Sequence, residues 1–479
     1  KYASPDEPAH AIKAAANARG EFRGTPHYTD QVPFVGFKVP ATLLQGNPAC
    51  VAFKPAESAA CLPLWTTKPG TGEGLTYVGG YPPIYYVLVG VPSLLTTSPT
   101  MLLWMRLVSA ALSALFLSVA FIMASRVRHA RWTVLGVATA ASPIVMFLAG
   151  MVNPNGFEIS AAIALWCCLL ALVTSPRERP NRSTVIWTTI TAAVFVQVRS
   201  LSLLWAAVIG LTILALAGWS RSSALLSRRD VRIGLIAFGM CAEFVVLWIL
   251  MMGGLEVQDS LRYVDPTASN FEVLRTALRN SLEIKQMIGI LGWLDTYLPP
   301  WCYVAWETIL IALAIGVLLR RDLRTIAVVL ALAAAVIAIP TLLIYAKARE
   351  HGILGQGRDF LPIAVGVPIL GAYAIARRNQ FRALISTAAA LIGGTIAAVQ
   401  LAGFVQALHR YRTGVNAPIL TYDAPWRPPI SPLLAVAAFA VLQVAFLIWW
   451  MSLPHVTRRM DAGVSGCDVD AEHLAPAHG

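Results

Sequence analysis

Near its N-terminus the chain reads Pro5-Asp6-Glu7-Pro8-Ala9-His10, two adjacent carboxylates followed closely by an imidazole. If Pro8 to Arg19 is helical, His10 shares a face with Asp6 and Glu7. Such a trio offers a general base for a hydroxyl proton, an orienting imidazole, or ligands for a metal. Acids at this position also suit a helix start, where the macrodipole favours them and Pro8 is tolerated. The spacing leaves these alternatives open.

A second candidate is Gly355-Gln356-Gly357-Arg358-Asp359. Its glycines permit close backbone approach, Arg358 offers a fork for phosphate, and a helix N-terminus follows. The plainer reading is an arginine snorkelling to an interface. In Trp293-Leu294-Asp295 an aromatic face sits beside a carboxylate, a pairing that suits a sugar. Tyr81 and Tyr85, in Gly79-Gly80-Tyr81-Pro82-Pro83-Ile84-Tyr85-Tyr86, read either as an interfacial belt or as a cleft wall. Arg106, Glu158 and Arg199 lie in or at the edge of apolar runs, where ionisable groups are costly and are functional candidates. Pairing among themselves and substrate contact are both open to them. Lys285 is a further candidate in a polar segment.

The elements that position these groups follow from composition. Of 479 residues, 57% are hydrophobic and 13% charged. A soluble domain carries about 25% charged residues. Eleven apolar runs are expected to cross a bilayer, at about 101–124, 132–150, 156–174, 184–198, 200–218, 233–252, 303–320, 325–345, 361–376, 383–405 and 432–452. The fold expected is therefore an all-α polytopic bundle. Its organisation is an outside segment 1–100, spans over 101–252, a second outside segment 253–302, and spans over 303–452 with outside loops 346–360 and 406–431. A cytoplasmic tail 453–479 follows, disordered from 461.

The orientation rests on arginine clusters in alternate short loops: Arg126/Arg128/Arg131, Arg177/Arg179/Arg182, Arg221/Arg228/Arg229/Arg232, Arg320/Arg321/Arg324, Arg377/Arg378/Arg382 and Arg458/Arg459. The positive-inside rule puts these in the cytoplasm. The net charge of +12 is thus read as topology and not as nucleic-acid binding. Because Lys1 starts an outside segment, a leading transmembrane helix is expected to precede it, making twelve. Cys50 and Cys61 both lie outside and are expected to pair as a disulfide. No Walker loop, dinucleotide fingerprint or Cys/His zinc spacing occurs.

In this order SPDEPAH, YPPIYY, GILGWLDT and GQGRDFLP resemble domain-of-unknown-function family 2142, bacterial membrane proteins grouped with the GT-C glycosyltransferases. The motifs run from Pro5 to Pro362. The resemblance implies a GT-C-like bundle in the plasma (inner) membrane, with its active site on the extracytoplasmic side. It implies a polyprenyl-phosphate sugar donor and a glycan or glycolipid acceptor. By the same resemblance Asp6 is the base for the acceptor hydroxyl, Glu7 is second, and Arg358 holds the donor phosphate. His10, Tyr81, Tyr85, Trp293, Asp295 and Gln356 join the substrate-binding set. No cofactor is certain; a divalent metal held by Asp6, Glu7 and His10 is the alternative role for the acids. Asn155 departs from the Asp expected in an Asn-Pro-Asp-Gly turn. Alanine- and arginine-rich usage looks like a high-GC actinobacterium. The competing readings are a polyisoprenoid or glycan transporter and a non-catalytic scaffold. Against transport stand the absence of an internal repeat and the expected absence of a broken mid-membrane helix.

Overall fold

The computed structural model describes all residues except 1, 3, 30–31, 128–129, 176–180, 256–263, 320–321, 354, 377–381, 420, 422 and 470–479; for 28–29, 32–33, 376, 382–386 and 454–469 it describes the backbone alone.

The N-terminal region is a small α/β cap. It comprises α1 (Glu7–Ala18), β1 (Thr25–Thr29), β2 (Val32–Pro40), β3 (Thr71–Thr76), α2 (Ile84–Gly90) and α3 (Pro92–Leu95). The alanine-rich sequence of α1 favours helix, and it ends where Gly20 takes a left-handed φ of 80°. Small side chains let α1 approach α2 so closely that a Cβ on Gly90 would lie 1.9 Å from the Ala14 carbonyl oxygen. The strands form an antiparallel sheet in the order β1-β2-β3, with Thr25 opposite Gly36 and Val35 opposite Thr76. α1 lies against β2 and β3. The sequence reading gives this region as an outside segment and foresees no sheet in it. Gly72 and Gly74 dilute the strand signal of β3, and pairing with β2 supplies what its propensity lacks.

The bundle follows as α4 (Met101–Arg126), α5 (Ala130–Ala140), α6 (Pro143–Ala149), α7 (Pro154–Thr174), α8 (Arg182–Val196), α9 (Ser202–Ala217), α10 (Trp219–Leu226) and α11 (Arg229–Met252). The second polar segment holds α12 (Asn270–Ser281), α13 (Ile284–Gly289), β4 (Ile290–Leu291) and β5 (Thr296–Tyr297). The remaining helices are α14 (Pro300–Leu318), α15 (Leu323–His351), α16 (Gly357–Ala364), α17 (Gly366–Ala376), α18 (Arg382–Thr413) and α19 (Pro432–Val469).

Among the described residues eight helices are long and apolar enough to cross a membrane, or ten if two bent pairs each count as a span. Eleven spans were expected. The difference lies at 184–198, where α8 is apolar but short, and at the two bends. α5 and α6 meet at 69°, a broken span where none was expected. Pro143 opens α6 and cannot donate back into α5, so the helix breaks at Ser142. α9 and α10 meet at 115° through Gly218, whose φ is 77°.

The expected loop 346–360 shrinks to five residues, because α15 continues to His351 and α16 starts at Gly357. α18 likewise runs to Thr413, past the expected start of its outside loop. The backbone of α19 is helical to Val469, overlapping the tail expected to be disordered. Arg128, Arg177, Arg179, Arg320, Arg321, Arg377 and Arg378 lie outside the described residues, as does the tail from 470.

The core centres on α7, which is buried along almost all of its length, whereas α19 is largely exposed. α7 is thus the axis of the bundle. Glu7 and Arg106, Glu158 and Arg199, and the Asp6 segment gather at its N-terminal end.

Candidate functional site

Asp6 stands immediately before α1 but does not cap it. Its φ is 61°, and its side chain makes no bond to the helix backbone. Aspartate is among the few residues that tolerate this left-handed conformation. The conformation turns the carboxylate away from α1. Tyr77, which follows β3, donates its hydroxyl to Asp6 Oδ1 at 2.6 Å. Arg358, on the first turn of α16, donates Nη2 to Asp6 Oδ2. Residues 352 positions apart thus form an ion pair, in which Arg358 is 8% and Asp6 26% exposed at the side chain. Arg358 Nε is buried without a partner among the described residues. Burial pushes the Asp6 carboxyl up, but the Arg358 guanidinium and the Tyr77 hydrogen bond together hold it below the usual carboxylate range.

Glu7 faces elsewhere. It is fully buried and takes a bidentate pair of bonds from Arg106 of α4, Nε at 2.7 Å and Nη2 at 2.5 Å. The Val152 N–H adds a third at 3.2 Å. The two adjacent acids therefore diverge toward different arginines. Next to them, Asn153 donates Nδ2 to the Pro5 carbonyl at 3.3 Å and Oδ1 accepts the Asn155 N–H, so this turn starts α7 and anchors the acid segment.

His10 is buried, and its Nδ1 meets the Tyr86 hydroxyl at 2.9 Å. Burial lowers its pKa to about 3, so it is neutral at physiological pH. Lys13, on the same helix, is fully buried; its Nζ donates to the Gly79 carbonyl at 2.5 Å and lies 5.2 Å from the centre of the Tyr86 ring. Burial lowers its pKa to about 7. Lys13 fixes the Gly79–Tyr81 segment from one side. Trp248 of α11 fixes it from the other, donating Nε1 to the Gly80 and Tyr81 carbonyls at 3.0 and 3.1 Å. Tyr81 is thereby placed under the Arg199 guanidinium, 5.8 Å from ring centre to Cζ.

Arg199 joins the two halves of the site. Its Nη1 donates to Glu158 of α7 at 3.1 Å and to Asp359 of α16 at 3.0 Å. Ser202 donates its hydroxyl to Glu158 at 2.7 Å. The Gln286 side chain accepts the Gly357 N–H at 2.8 Å, holding the start of α16 against α13. The result is one continuous array, Tyr77–Asp6–Arg358 beside Glu158–Arg199–Asp359, at the N-terminal ends of α1, α7 and α16.

The model of the family described as "Predicted membrane protein (DUF2142)" matches residues 1–367, which include every group in this array. The chain belongs to this family. As a DUF2142 chain with many apolar spans, it is a multi-pass membrane protein. No curated protein matches the sequence. Among solved structures it is similar to ArnT from Cupriavidus metallidurans bound to undecaprenyl phosphate, at 16% identity and a TM-score of 0.43 over 98% of this chain and 76% of that one. The apo state of ArnT gives 15% identity and a TM-score of 0.45 over 94% and 68%. Likenesses this loose carry no argument about chemistry.

Several residues read as substrate-binding in the DUF2142 sequence sit elsewhere. Tyr85 is fully buried and shares a hydrogen bond of 2.9 Å with the Ser109 hydroxyl, so it packs in the core and forms no cleft wall. Asp295 is 5% exposed at its side chain and accepts from Arg410 of α18 at 3.2 Å, which leaves it poorly placed for sugar hydroxyls. Trp293 packs edge-on to Phe53, their centroids 5.8 Å apart. Arg410 also donates to the carbonyls of Val51, Lys54 and Glu57, clamping the loop that the Cys50–Cys61 disulfide closes. Lys285 is exposed, 5.5 Å from the Tyr303 ring centre. Gln356 donates its backbone N–H to Asp359 Oδ2 at 3.1 Å.

The metal alternative does not fit. Among the described residues no three His, Cys, Asp or Glu side chains converge. Asp6, Glu7 and His10 are each held by a different partner, and a guanidinium already faces Asp6. Sequence reasoning passed over Tyr77, Asp359 and Trp248. Tyr77 lies two residues before the Gly79-Gly80 pair and carried no spacing signal; only the exit of β3 aims it at Asp6. Asp359 was in the quoted motif, and its value depends on Arg199 arriving from a distant turn.

Proposed function

We propose that this protein is a membrane glycosyltransferase that moves a sugar from a polyprenyl-phosphate-linked donor to a hydroxyl of an envelope glycan or glycolipid. On this reading the site opens on the extracytoplasmic face of the plasma membrane. The observation that carries it is the Asp6–Arg358 pair, which brings the acid of the first segment to the phosphate-suited arginine of the last motif.

Arg358 holds the donor phosphate, and Tyr81 and Arg199 line the approach. A phosphate that engages the Arg358 guanidinium weakens its hold on Asp6. The freed carboxylate keeps its Tyr77 bond and takes the acceptor proton, and its pKa rises as the neighbouring positive charge is shared. The acceptor oxygen bonds to the sugar's anomeric carbon while the carbon–oxygen bond to phosphate breaks, and the polyprenyl phosphate leaves with the bonding electrons. A phosphate leaving group needs no nucleotide, so the chain's tasks are positioning, exclusion of water and one base.

The test is transfer from polyprenyl-phosphate sugars by the full chain in lipid. Asp6→Asn is expected to lower turnover by about a hundred- to ten-thousand-fold with donor binding nearly unchanged. Arg358→Ala is expected to weaken donor binding. Full activity of Asp6→Asn sinks the base assignment, and unchanged donor affinity of Arg358→Ala sinks the phosphate assignment.

A further inference from the structure

α12 carries an apolar face that lies outside the packing of the bundle. The helix is well fixed. At its start the Ser269 N–H donates to Glu272 Oε2 at 2.8 Å and the Glu272 N–H donates to Ser269 Oγ at 3.3 Å. Val273, Ala277 and Ser281 are buried, and the helix packs on α15. Arg349 near the end of α15 donates to the Ala268 carbonyl and Asn270 Oδ1, both at 2.9 Å. At the other end Asn280 donates Nδ2 to the Gly355 carbonyl at 2.9 Å, beside the Gln356–Arg358 segment.

With one face so occupied, a second stays apolar and uncovered among the described residues. Phe271, Leu274, Leu278 and Leu282 are 72%, 39%, 39% and 45% exposed. At 3.6 residues per turn these four fall within an arc of about 80°, next to the buried face. Arg275 and Arg279, both exposed, occupy the adjoining arc. An ordinary water-facing helix has no use for the apolar stripe. A helix lying in a membrane interface has this pattern, apolar on one face with arginines flanking it at headgroup depth. α15, on which α12 sits, turns Leu330 and Leu342 outward at 51% and 61%, as a lipid-facing span does.

We propose that α12 is an in-plane interfacial helix whose apolar face enters the bilayer surface and whose Arg275 and Arg279 engage anionic lipid headgroups. The arginine pair at the edge of the stripe favours an anionic surface over a neutral one. The inference is independent of the reaction assigned to the site.

The test places nitroxide labels singly through L274C, L278C and T276C in the full chain, in nanodiscs of phosphatidylcholine with or without phosphatidylglycerol. The unsubstituted chain gives the labelling background. At 274 and 278 the ratio of oxygen to nickel-chelate accessibility is expected to be severalfold higher than at 276, and to rise with phosphatidylglycerol. R275Q/R279Q is expected to abolish that rise. Equal nickel access at 276 and 278 overturns the proposal, because the stripe then faces water. Low access to both reagents at 278 overturns it too, because a second copy or another protein then covers the stripe. A rise with phosphatidylglycerol that survives R275Q/R279Q removes the headgroup assignment.

Discussion

Two ion pairs leave the start of α1 from adjacent residues, and they are built for different work. Glu7–Arg106 is a closed pair: the carboxylate is fully buried, three N–H groups fill its oxygens, and the geometry is bidentate. Asp6–Arg358 is a more open pair. Asp6 is a quarter exposed in a left-handed conformation, and Arg358 keeps a buried Nε without a partner among the described residues. A satisfied, buried pair resists change, because removing one partner strands a charge. A pair with an accessible carboxylate and spare donor capacity can exchange partners. Adjacent positions in sequence thus give one acid that holds α1 to the bundle and one whose carboxylate stays accessible.

Breaking each pair in turn tests that contrast. Asp6→Asn is expected to have the largest effect, about a hundred- to ten-thousand-fold on turnover, with the melting temperature in lipid little moved. A large loss of stability would make Asp6 another structural acid. Glu7→Ala is expected to do the reverse, costing about 3–5 kcal/mol of folding stability in a thermal or denaturant unfolding measurement. If it instead cuts turnover in a chain that melts normally, the division of roles is wrong.

Lys13 sharpens the comparison, since it is a buried charge on α1 whose lowered pKa burial alone accounts for. Its pKa is about 7 in the folded chain against an ordinary lysine value of 10.5, so between these values the unfolded chain holds more protons and stability rises with pH. The gain is about 2–3 kcal/mol from pH 7 to 9, and it is absent below pH 7, where both states are protonated. Lys13→Met is expected to remove that slope from melting curves taken across pH 6–9; an unchanged slope assigns it to another group. Tyr77→Phe is the mildest change. It removes one bond that favours ionised Asp6, so the acid limb of the pH–rate profile is expected to move up by less than about one pH unit. A limb that stays put indicates that Tyr77 does not touch the working carboxylate.

Much of the fold was legible because apolar run length is a direct consequence of bilayer thickness. The family was legible too, since the ordered motifs from SPDEPAH to GQGRDFLP fall within the matched residues 1–367. What misled the reading was local. A proline after Ser142 turned one span into two helices, and glycines in β3 hid a strand that long-range pairing stabilises. The expected pairing of Cys50 with Cys61 is present in the fold. Tyr85 is expected as a cleft wall from its aromatic segment and Asp295 as a sugar contact from its nearness to Trp293, but side-chain type does not say which way a residue faces. Tyr85 points into the core, and Asp295 is committed to Arg410.

By itself the sequence determined the class of molecule, the approximate spans, the candidate acids and the candidate arginine. Those depend on composition and short spacing, which the chain carries locally. Only the tertiary structure decided which acid meets which arginine. Asp6 and Glu7 differ by one position, yet a left-handed turn at Asp6 sends the first toward α16 and leaves the second to α4. That choice rests on where α4, α7 and α16 converge, and on a strand exit that delivers Tyr77 to the same carboxylate. Side-chain direction at a helix start follows from one backbone torsion and its distant partners, and short spacing carries neither.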